Sequence, residues 1–173
     1  MGQTALVIVV PEAEGVVADL RDAHDPAAAR GVPAHVTILY PFRSVVDEET
    51  VLASATLAMS LPAFDARFAS VGRFPGDVVF LVPEPRGSFK RMIGVVTAAF
   101  PDCPPYGGTV ADPEPHLTVG DGVDATTAEH IERAVAPKLP ISMRVDRLTL
   151  LIEGDDGRWT IDRSWPLGGD LPA

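Results

Sequence analysis

The sequence predicts an α+β fold that is built twice, with two antiparallel-rich sheets and outer helices around a central cleft. Two observations predict it. Short β-branched apolar runs alternate with stretches whose apolar residues recur at helical spacing. The order strand, helix, hairpin also occurs once in each half of the chain, which is typical of an internal duplication. With 173 residues and 46% hydrophobic content, we expect a single two-lobed domain over residues 1–173.

The first half begins with TALVIVVP, a β-branched run that Pro11 ends, as in a buried strand. The helices are predicted from apolar residues at helical spacing behind acidic first turns. The hairpin is predicted from Pro75-Gly76-Asp77, which lies between two apolar runs. The expected elements are a strand over 4–11, a helix over 12–25, a strand over 34–40, a helix over 46–62, and strands over 64–74 and 77–85.

The second half repeats this order. Asp124 and Thr126 are expected to cap a helix. The segment Gly154-Asp155-Asp156-Gly157 has the residues of a hairpin turn, so residues 141–167 are expected to form two long strands around it. The expected elements are a helix over 87–100, a strand over 116–119, a helix over 124–139 and the two long strands.

Charge and cysteine content limit the possible partners. The formal net charge is −10, and Lys90 and Lys138 are the only lysines. An acidic surface repels long polyanions, so we expect no long DNA as a partner, whereas a small phosphorylated ligand or one RNA end can enter a local pocket. The single Cys103 excludes an intrachain disulfide. The first residues lack a basic leader and a membrane-length apolar run, so we expect a cytoplasmic protein without a membrane partner. We also expect a monomer.

One strand carries an unusual pair of side chains. The segment AHVTILY has two alternating sets of residues. One set is Val36, Ile38 and Tyr40, and the other begins with His35 and Thr37 and continues with Leu39. Successive side chains of a strand point to opposite faces, so one face is apolar while the other presents an imidazole and a hydroxyl. The pattern returns in PHLTVGDG, where His116 and Thr118 have the same spacing.

Two such pairs at matching points of a repeat predict a phosphoester site between the lobes. One neutral imidazole can take a proton from an attacking water or hydroxyl, and the other, as imidazolium, can protonate the leaving oxygen. The threonine hydroxyls can donate hydrogen bonds to the non-bridging phosphoryl oxygens. The sequence has no G-x-S-x-G motif, which disfavours an acyl-transfer serine enzyme.

The motifs HVTI and HLTV resemble the paired H-x-[S/T]-hydrophobic motifs of the two-histidine (2H) phosphoesterase superfamily, which includes 2'-5' RNA ligase-like proteins and cyclic nucleotide phosphodiesterases. The resemblance covers nearly the whole chain. It implies a bilobal fold and a hydrolase acting on 2',3'-cyclic or 2'-5' phosphodiesters of nucleotides or RNA ends, as in RNA processing, without metal or other cofactor. It also implies that His35 and His116 are the acid and base, and that Thr37 and Thr118 hold the phosphoryl oxygens.

Further residues near the motifs are candidates for substrate binding. Phe42 could stack on a base and Arg43 could meet a phosphate, although Tyr40 and Phe42 could equally cap the core. Tyr106 could close over a ligand, since the glycines that follow it allow movement. Arg73 and Phe74 at the first hairpin tip, and the basic cluster of Arg86, Lys90 and Arg91, are weaker candidates.

Three alternatives stay open on the sequence. A zinc site would need a third ligand beside the two histidines, and no H-E-x-x-H or C-x-x-C supplies one. A non-catalytic nucleotide-binding module would keep the same cleft, and 2'-5' ligation would use the same residues in reverse. Asp121 and Asp124 after the second motif would repel a dianionic phosphate more than a monoanionic cyclic diester. The sequence does not fix which histidine is the base.

Overall fold

The computed structural model describes residues 2–168, which form eight strands and five α-helices. The strands are β1 (Thr4–Val9), β2 (His35–Leu39), β3 (Phe64–Phe74), β4 (Val78–Glu84), β5 (Leu117–Gly120), β6 (Ile141–Val145), β7 (Arg147–Glu153) and β8 (Trp159–Pro166). The helices are α1 (Pro11–His24), α2 (Pro26–Ala29), α3 (Glu48–Ser60), α4 (Arg86–Ala99) and α5 (Ala125–Val135), with 3₁₀ turns at Pro105–Gly108 and Ala136–Lys138.

The strands form two antiparallel four-stranded sheets, which confirms the predicted fold class. The first sheet has the order β2-β1-β7-β8 and the second β5-β4-β3-β6. Each sheet therefore has one motif strand at its edge. Each also takes strands from both halves of the chain, since β7 and β8 complete the first sheet while β3 and β4 lie in the second.

The prediction of one long strand from Ile141 to the final hairpin is wrong. The chain forms two strands there, because β6 pairs with β3 in the second sheet whereas β7 pairs with β1 and β8 in the first. The change of sheet occurs at Asp146, whose carbonyl accepts a hydrogen bond from Leu167 N at 2.8 Å. Alternation also breaks at this point: Ile141, Met143 and Val145 are buried, and the next buried residue is Leu148.

The first sheet has apolar groups on both faces. Leu6 and Ile8 of β1 pack into the main core, which continues through both sheets and the helices. Ala5 and Val7, on the opposite face of β1, belong to a second, smaller apolar cluster with Val32, Leu151 and Trp159. Burial on both sides accounts for the uninterrupted apolar run of β1. The second cluster lies beside the candidate site.

Three helices begin with an aspartate cap, namely α2 with Asp25, α3 with Asp47 and α5 with Asp124. The Asp47 side chain accepts a hydrogen bond from Thr50 N, and the Asp124 side chain accepts one from Thr127 N, both at 2.8 Å. Each cap satisfies a backbone donor of the first turn that has no partner within the helix. Asp124 therefore has the capping role predicted from the sequence.

Candidate active site

A β-bulge shapes the first motif strand. In the pairing of β2 with β1, Thr37 lies opposite Val7 and Leu39 opposite Leu6, so Ile38 is an extra residue. Ile38 and Leu39 are both buried, at 2% and 0% exposure. The bulge shifts the alternation by one residue, so Tyr40 turns to the same side as His35 and Thr37. This corrects the expectation that Tyr40 shares the apolar face of the strand.

The second motif strand has a bulge at the equivalent position. Thr118 lies opposite Phe80 and Gly120 opposite Val79, so Val119 is the extra residue. In both motifs the bulged residue is the third after the histidine. Asp121 is therefore the positional equivalent of Tyr40, and both line the cleft between the sheets.

The cleft has a volume of about 260 Å³. Its lining includes five of the seven predicted site residues: His35, Thr37, Tyr106, His116 and Thr118. The structure thus brings the two motifs together although they are far apart in the chain. It also adds residues outside the motifs, namely Asp25, Arg30, Tyr40 and Trp159, and it places Asp121 in the lining but not Asp124, the other aspartate named after the second motif.

Both histidine rings are held in the same way. His35 Nδ1 is 2.8 Å from the carbonyl oxygen of Pro33, and His116 Nδ1 is 2.7 Å from that of Glu114. A carbonyl oxygen only accepts hydrogen bonds, so in each ring Nδ1 carries the proton and donates. The neutral ring therefore keeps its lone pair on Nε2, the atom that is free for proton transfer.

Burial keeps both imidazoles neutral in the unliganded cleft. It lowers the pKa of His35 to about 4, against an opposing hydrogen bond to Pro33 and with further lowering from the positive charge of Arg21. It also lowers the pKa of His116, which the hydrogen bond to the Glu114 carbonyl opposes. Arg21 forms a buried ion pair with Asp25 at 2.8 Å, and the negative charge of Asp25 raises the His35 pKa. A phosphate anion between the rings would raise both pKa values.

Aromatic rings and a clamped glutamate fix His116. Phe74 and Phe80 meet its ring edge to face, with centroids at 4.9 and 5.5 Å. The Glu114 carboxylate, next to the carbonyl that holds Nδ1, binds Arg86 at 2.6 Å and Lys90 at 3.4 Å. Two members of the predicted basic cluster are thus paired with carboxylates rather than presented to a ligand.

Tyr106 reaches the cleft from a left-handed turn. Its φ is 51°, and the two glycines that follow also have positive φ. The Tyr106 backbone N–H donates to Tyr40 O at 2.6 Å, and the two rings meet at 6.3 Å between centroids. Burial raises the pKa of the Tyr106 phenol, while a hydrogen bond with Thr37 opposes the rise. A strained backbone supported by these contacts is typical of a functional position.

The structure does not bring Phe42 and Arg43 to the cleft, which corrects their predicted placement. Phe42 is 7% exposed and packs edge to face on Phe100 at 4.9 Å. Arg43 binds Asp102 at 2.9 Å with its guanidinium 5.6 Å from the Phe100 ring. Hydrogen bonds with Thr4 hold the chain after β2 along the start of β1. The Phe42 side chain therefore enters the core, and the Arg43 side chain lies beside Phe100 at the end of α4.

The linear sequence contains no signal for Trp159 in the cleft. It lies on β8, and it joins the cleft only because β1 and β7 place β8 in the first sheet. Within residues 2–168, no group of three or more His, Cys, Asp or Glu side chains is placed to hold a metal ion. None of the helices in this range is both long and apolar enough to cross a lipid bilayer.

Known proteins share this sequence pattern and fold. The family model of the 2'-5' RNA ligase superfamily matches residues 9–157. Proteins of Bacillus cereus and Bacillus thuringiensis that carry the name "Putative phosphoesterase" are 28% identical over 169 residues, covering 86% of this chain and 87% of theirs.

Solved structures share the fold. Escherichia coli LigT complexed with 3'-AMP superposes with a TM-score of 0.66 at 21% identity, over 96% of this chain and 99% of that one. LigT complexed with NADP+ gives 0.64 at 18% identity, over 96% and 97%. A Thermus thermophilus protein gives 0.57 at 20% identity, over 98% and 100%. By its family match, its two-sheet architecture and its paired H-x-T motifs, this chain belongs to the 2'-5' RNA ligase superfamily, the two-histidine phosphoesterases.

Proposed function

We propose that this protein is a metal-independent phosphodiesterase that acts on 2',3'-cyclic phosphate or 2'-5' phosphodiester bonds of nucleotides or RNA ends. One observation carries the proposal: two imidazoles, each with Nδ1 bound to a carbonyl, line one cleft together with two threonine hydroxyls. Such a pair supplies a base and an acid without a nucleophilic side chain. The LigT complexes with 3'-AMP and NADP+ support a nucleotide as the substrate class.

Hydrolysis of a cyclic phosphate needs two proton transfers. A water gives its proton to Nε2 of one neutral histidine while its oxygen attacks phosphorus. The bond from phosphorus to one ribose oxygen breaks, and Nε2–H of the other histidine, protonated in the complex, gives its proton to that oxygen. The product is a phosphomonoester, and the two histidines exchange protonation states. Ligation would use the same two proton transfers, with a hydroxyl of a second nucleotide or RNA end in place of water as the nucleophile, so that a phosphodiester forms as the ribose oxygen leaves.

The two threonines can stabilise the negative charge of the reacting phosphate. Thr37 and Thr118 occupy the same strand position relative to their histidines, on opposite sides of the cleft. Their hydroxyls can donate to the non-bridging oxygens, where charge is held in the transition state. Replacing either with Val keeps the β-branched shape and removes one donor, and we expect kcat to fall by ~10²–10³-fold, the precedent for such donors.

A substrate panel tests the proposal. The purified protein is incubated in EDTA, without nucleoside triphosphate, with 2',3'-cyclic mononucleotides, ADP-ribose 1'',2''-cyclic phosphate, 2'-5'-linked dinucleotides and oligonucleotides with cyclic ends. We expect turnover of at least one class, and its loss in the His35→Asn and His116→Asn variants. Binding without turnover would favour a nucleotide-binding module. Activity lost on metal removal and restored by zinc or manganese would favour a metal site.

A further inference from the structure

We propose that Asp121 makes the site selective for the charge of the phosphate it holds. Its carboxylate disfavours a phosphate with two negative charges, so a singly charged diester binds as substrate and the doubly charged monoester product is expelled. The inference rests on the proposed function and specifies how one cleft distinguishes substrate from product. Asp121 is a specificity residue in this scheme and takes no part in proton transfer.

The strand and a backbone hydrogen bond fix the position of Asp121. The bulge at Val119 turns it into the lining of the cleft that contains both histidines and both threonines. Its backbone N–H donates to His24 O at 2.9 Å, which ties it to the end of α1. Asp121 also lines the space beyond His116 and the space between the ends of α1 and β5. It therefore lies where both of these spaces adjoin the cleft.

The other acidic residues that line the cleft or the space beyond His116 are each paired with a cation. The pairs are Asp25 with Arg21 at 2.8 Å, Asp112 with Lys90 at 2.6 Å, and Glu114 with Arg86 at 2.6 Å. Arg30, the only arginine or lysine in the lining of the cleft, has Glu153 at 3.5 Å. Each of these charges is thus largely cancelled by its neighbour.

The Asp121 carboxylate has no such partner. Among residues 2–168, no group forms a hydrogen bond or an ion pair with its side chain. The field of a paired carboxylate is mostly cancelled, whereas an unmatched one acts on any ion that enters the cleft. The negative charge of Asp121 is therefore the one that a bound phosphate meets.

Substrate and product of the proposed reaction differ by one charge. A phosphodiester carries one negative charge, and a phosphomonoester carries two above its second pKa of about 6. The Coulomb energy is proportional to the charge of the ligand. At equal distance, Asp121 therefore disfavours the monoester by twice as much, on a free-energy scale, as it disfavours the diester. The difference weakens binding of the product relative to that of the substrate.

Binding of two matched ligands tests the inference without requiring turnover. At pH 8, adenosine 3'-monophosphate carries two charges, whereas its methyl ester, adenosine 3'-(methyl phosphate), carries one on the same nucleoside. Titration calorimetry at low ionic strength measures both dissociation constants for the wild type and for Asp121→Asn, which keeps the side-chain shape and removes the charge. In the variant we expect Kd to fall by about 3-fold for the methyl ester and about 10-fold for the monoester.

A matched control separates the local charge from the net charge of the protein. Asp155→Asn makes the same change in net charge at an exposed hairpin turn outside the cleft lining, and it should leave both constants nearly unchanged. In about 0.5 M sodium chloride, screening should reduce the gain of Asp121→Asn. An equal gain for both ligands would mean that Asp121 acts through shape or hydrogen bonding. That result, or no gain for the monoester, would overturn the inference.

Product inhibition gives a second readout. In Asp121→Asn, the inhibition constant of the monoester product should fall by about 10-fold, while kcat/KM for the cyclic diester should rise by no more than about 3-fold. If calorimetry gives the expected difference but no cyclic phosphate is turned over, the charge selectivity stands and the proposed function fails. If cyclic phosphates are turned over but both ligands gain equally, the proposed function stands and the charge selectivity fails.

Discussion

At each motif histidine, the carbonyl two residues earlier binds Nδ1 and leaves Nε2 as the reactive atom. Both carbonyls belong to residues just before a strand, Pro33 ahead of β2 and Glu114 ahead of β5. An asparagine side chain can place its amide N–H near the position of Nδ1 and has no counterpart of Nε2. His-to-Asn variants therefore remove the reactive atom and can keep the hydrogen bond to the Pro33 or Glu114 carbonyl.

We expect His35→Asn and His116→Asn each to lower kcat by about 10²–10⁴-fold, because each removes one proton-transfer group. The double variant should be little worse than the poorer single one, since acid and base act together. The wild-type pH–rate profile should be bell-shaped, and each variant should lose one limb. His130→Asn, at an exposed position on α5, is the control. A variant that keeps near-full turnover and a complete bell would show that its histidine is not a catalyst.

The lowered pKa of His35 also affects stability. The folded-state pKa is about 4 and the ordinary value is 6.5, so between these pH values the unfolded chain binds more protons than the folded one. The free energy of unfolding therefore falls as pH drops from 6.5 toward 4, by up to about 3 kcal/mol from this residue. Above pH 6.5 the contribution is constant.

Urea unfolding at pH 7 and pH 4.5 measures this effect. We expect His35→Asn to lose less stability on acidification than the wild type, because its side chain does not titrate. His130→Asn should behave like the wild type. Equal pH dependence in His35→Asn and the wild type would contradict the burial of a neutral His35.

At the scale of elements, the sequence predicted strands and helices well where the apolar pattern of the element itself sets its bounds. The predicted strand over 64–74 is β3 without change, and the helices have their predicted cores. The bulges at Ile38 and Val119 could not be predicted, because HVTIL alternates regularly and the extra residue is defined only by pairing with β1. Tyr40 was misplaced for this reason.

The site shows the same division between local and long-range information. The paired H-x-T motifs predicted the four residues at its centre, since side-chain type and spacing are properties of the sequence. Trp159 and Arg30 could not be predicted, because they join the cleft through strand order and a loop. Phe42 was misjudged because core aromatics and ligand-stacking aromatics look the same in a sequence.

The cap of α5 gives a prediction at this scale. Asp124→Ala removes the acceptor for Thr127 N and should lower the free energy of unfolding by ~1 kcal/mol, whereas Asp124→Asn should retain most of it. Chemical denaturation of both variants measures the difference. Asp155→Ala, at an exposed turn, controls for the loss of a charge. If Asp124→Asn were as destabilised as Asp124→Ala, the loss would stem from the charge rather than from the cap.

At the scale of the whole molecule, the protein and its proposed substrate both carry a negative net charge. A protein of formal charge −10 repels an anion during approach, and added salt screens this repulsion. We expect kcat/KM for a cyclic mononucleotide to rise with ionic strength up to ~0.15 M, and to rise more steeply for an oligonucleotide with a cyclic end. Initial rates in a sodium chloride series measure it. A rate that falls with salt from the start would indicate a locally positive entrance to the cleft.

The exchange of strands between the halves has a consequence for synthesis on the ribosome. β1 lies between β2 and β7, so a nascent chain that ends before residue 147 presents β1 with one open edge. Open edges of apolar strands are sites of intermolecular association. The first sheet is complete only when β8 has emerged, up to residue 166, so the two histidines can meet in a finished cleft only late in translation. The open edge of β1 in the nascent chain must therefore be kept from intermolecular association until most of the chain has been synthesised.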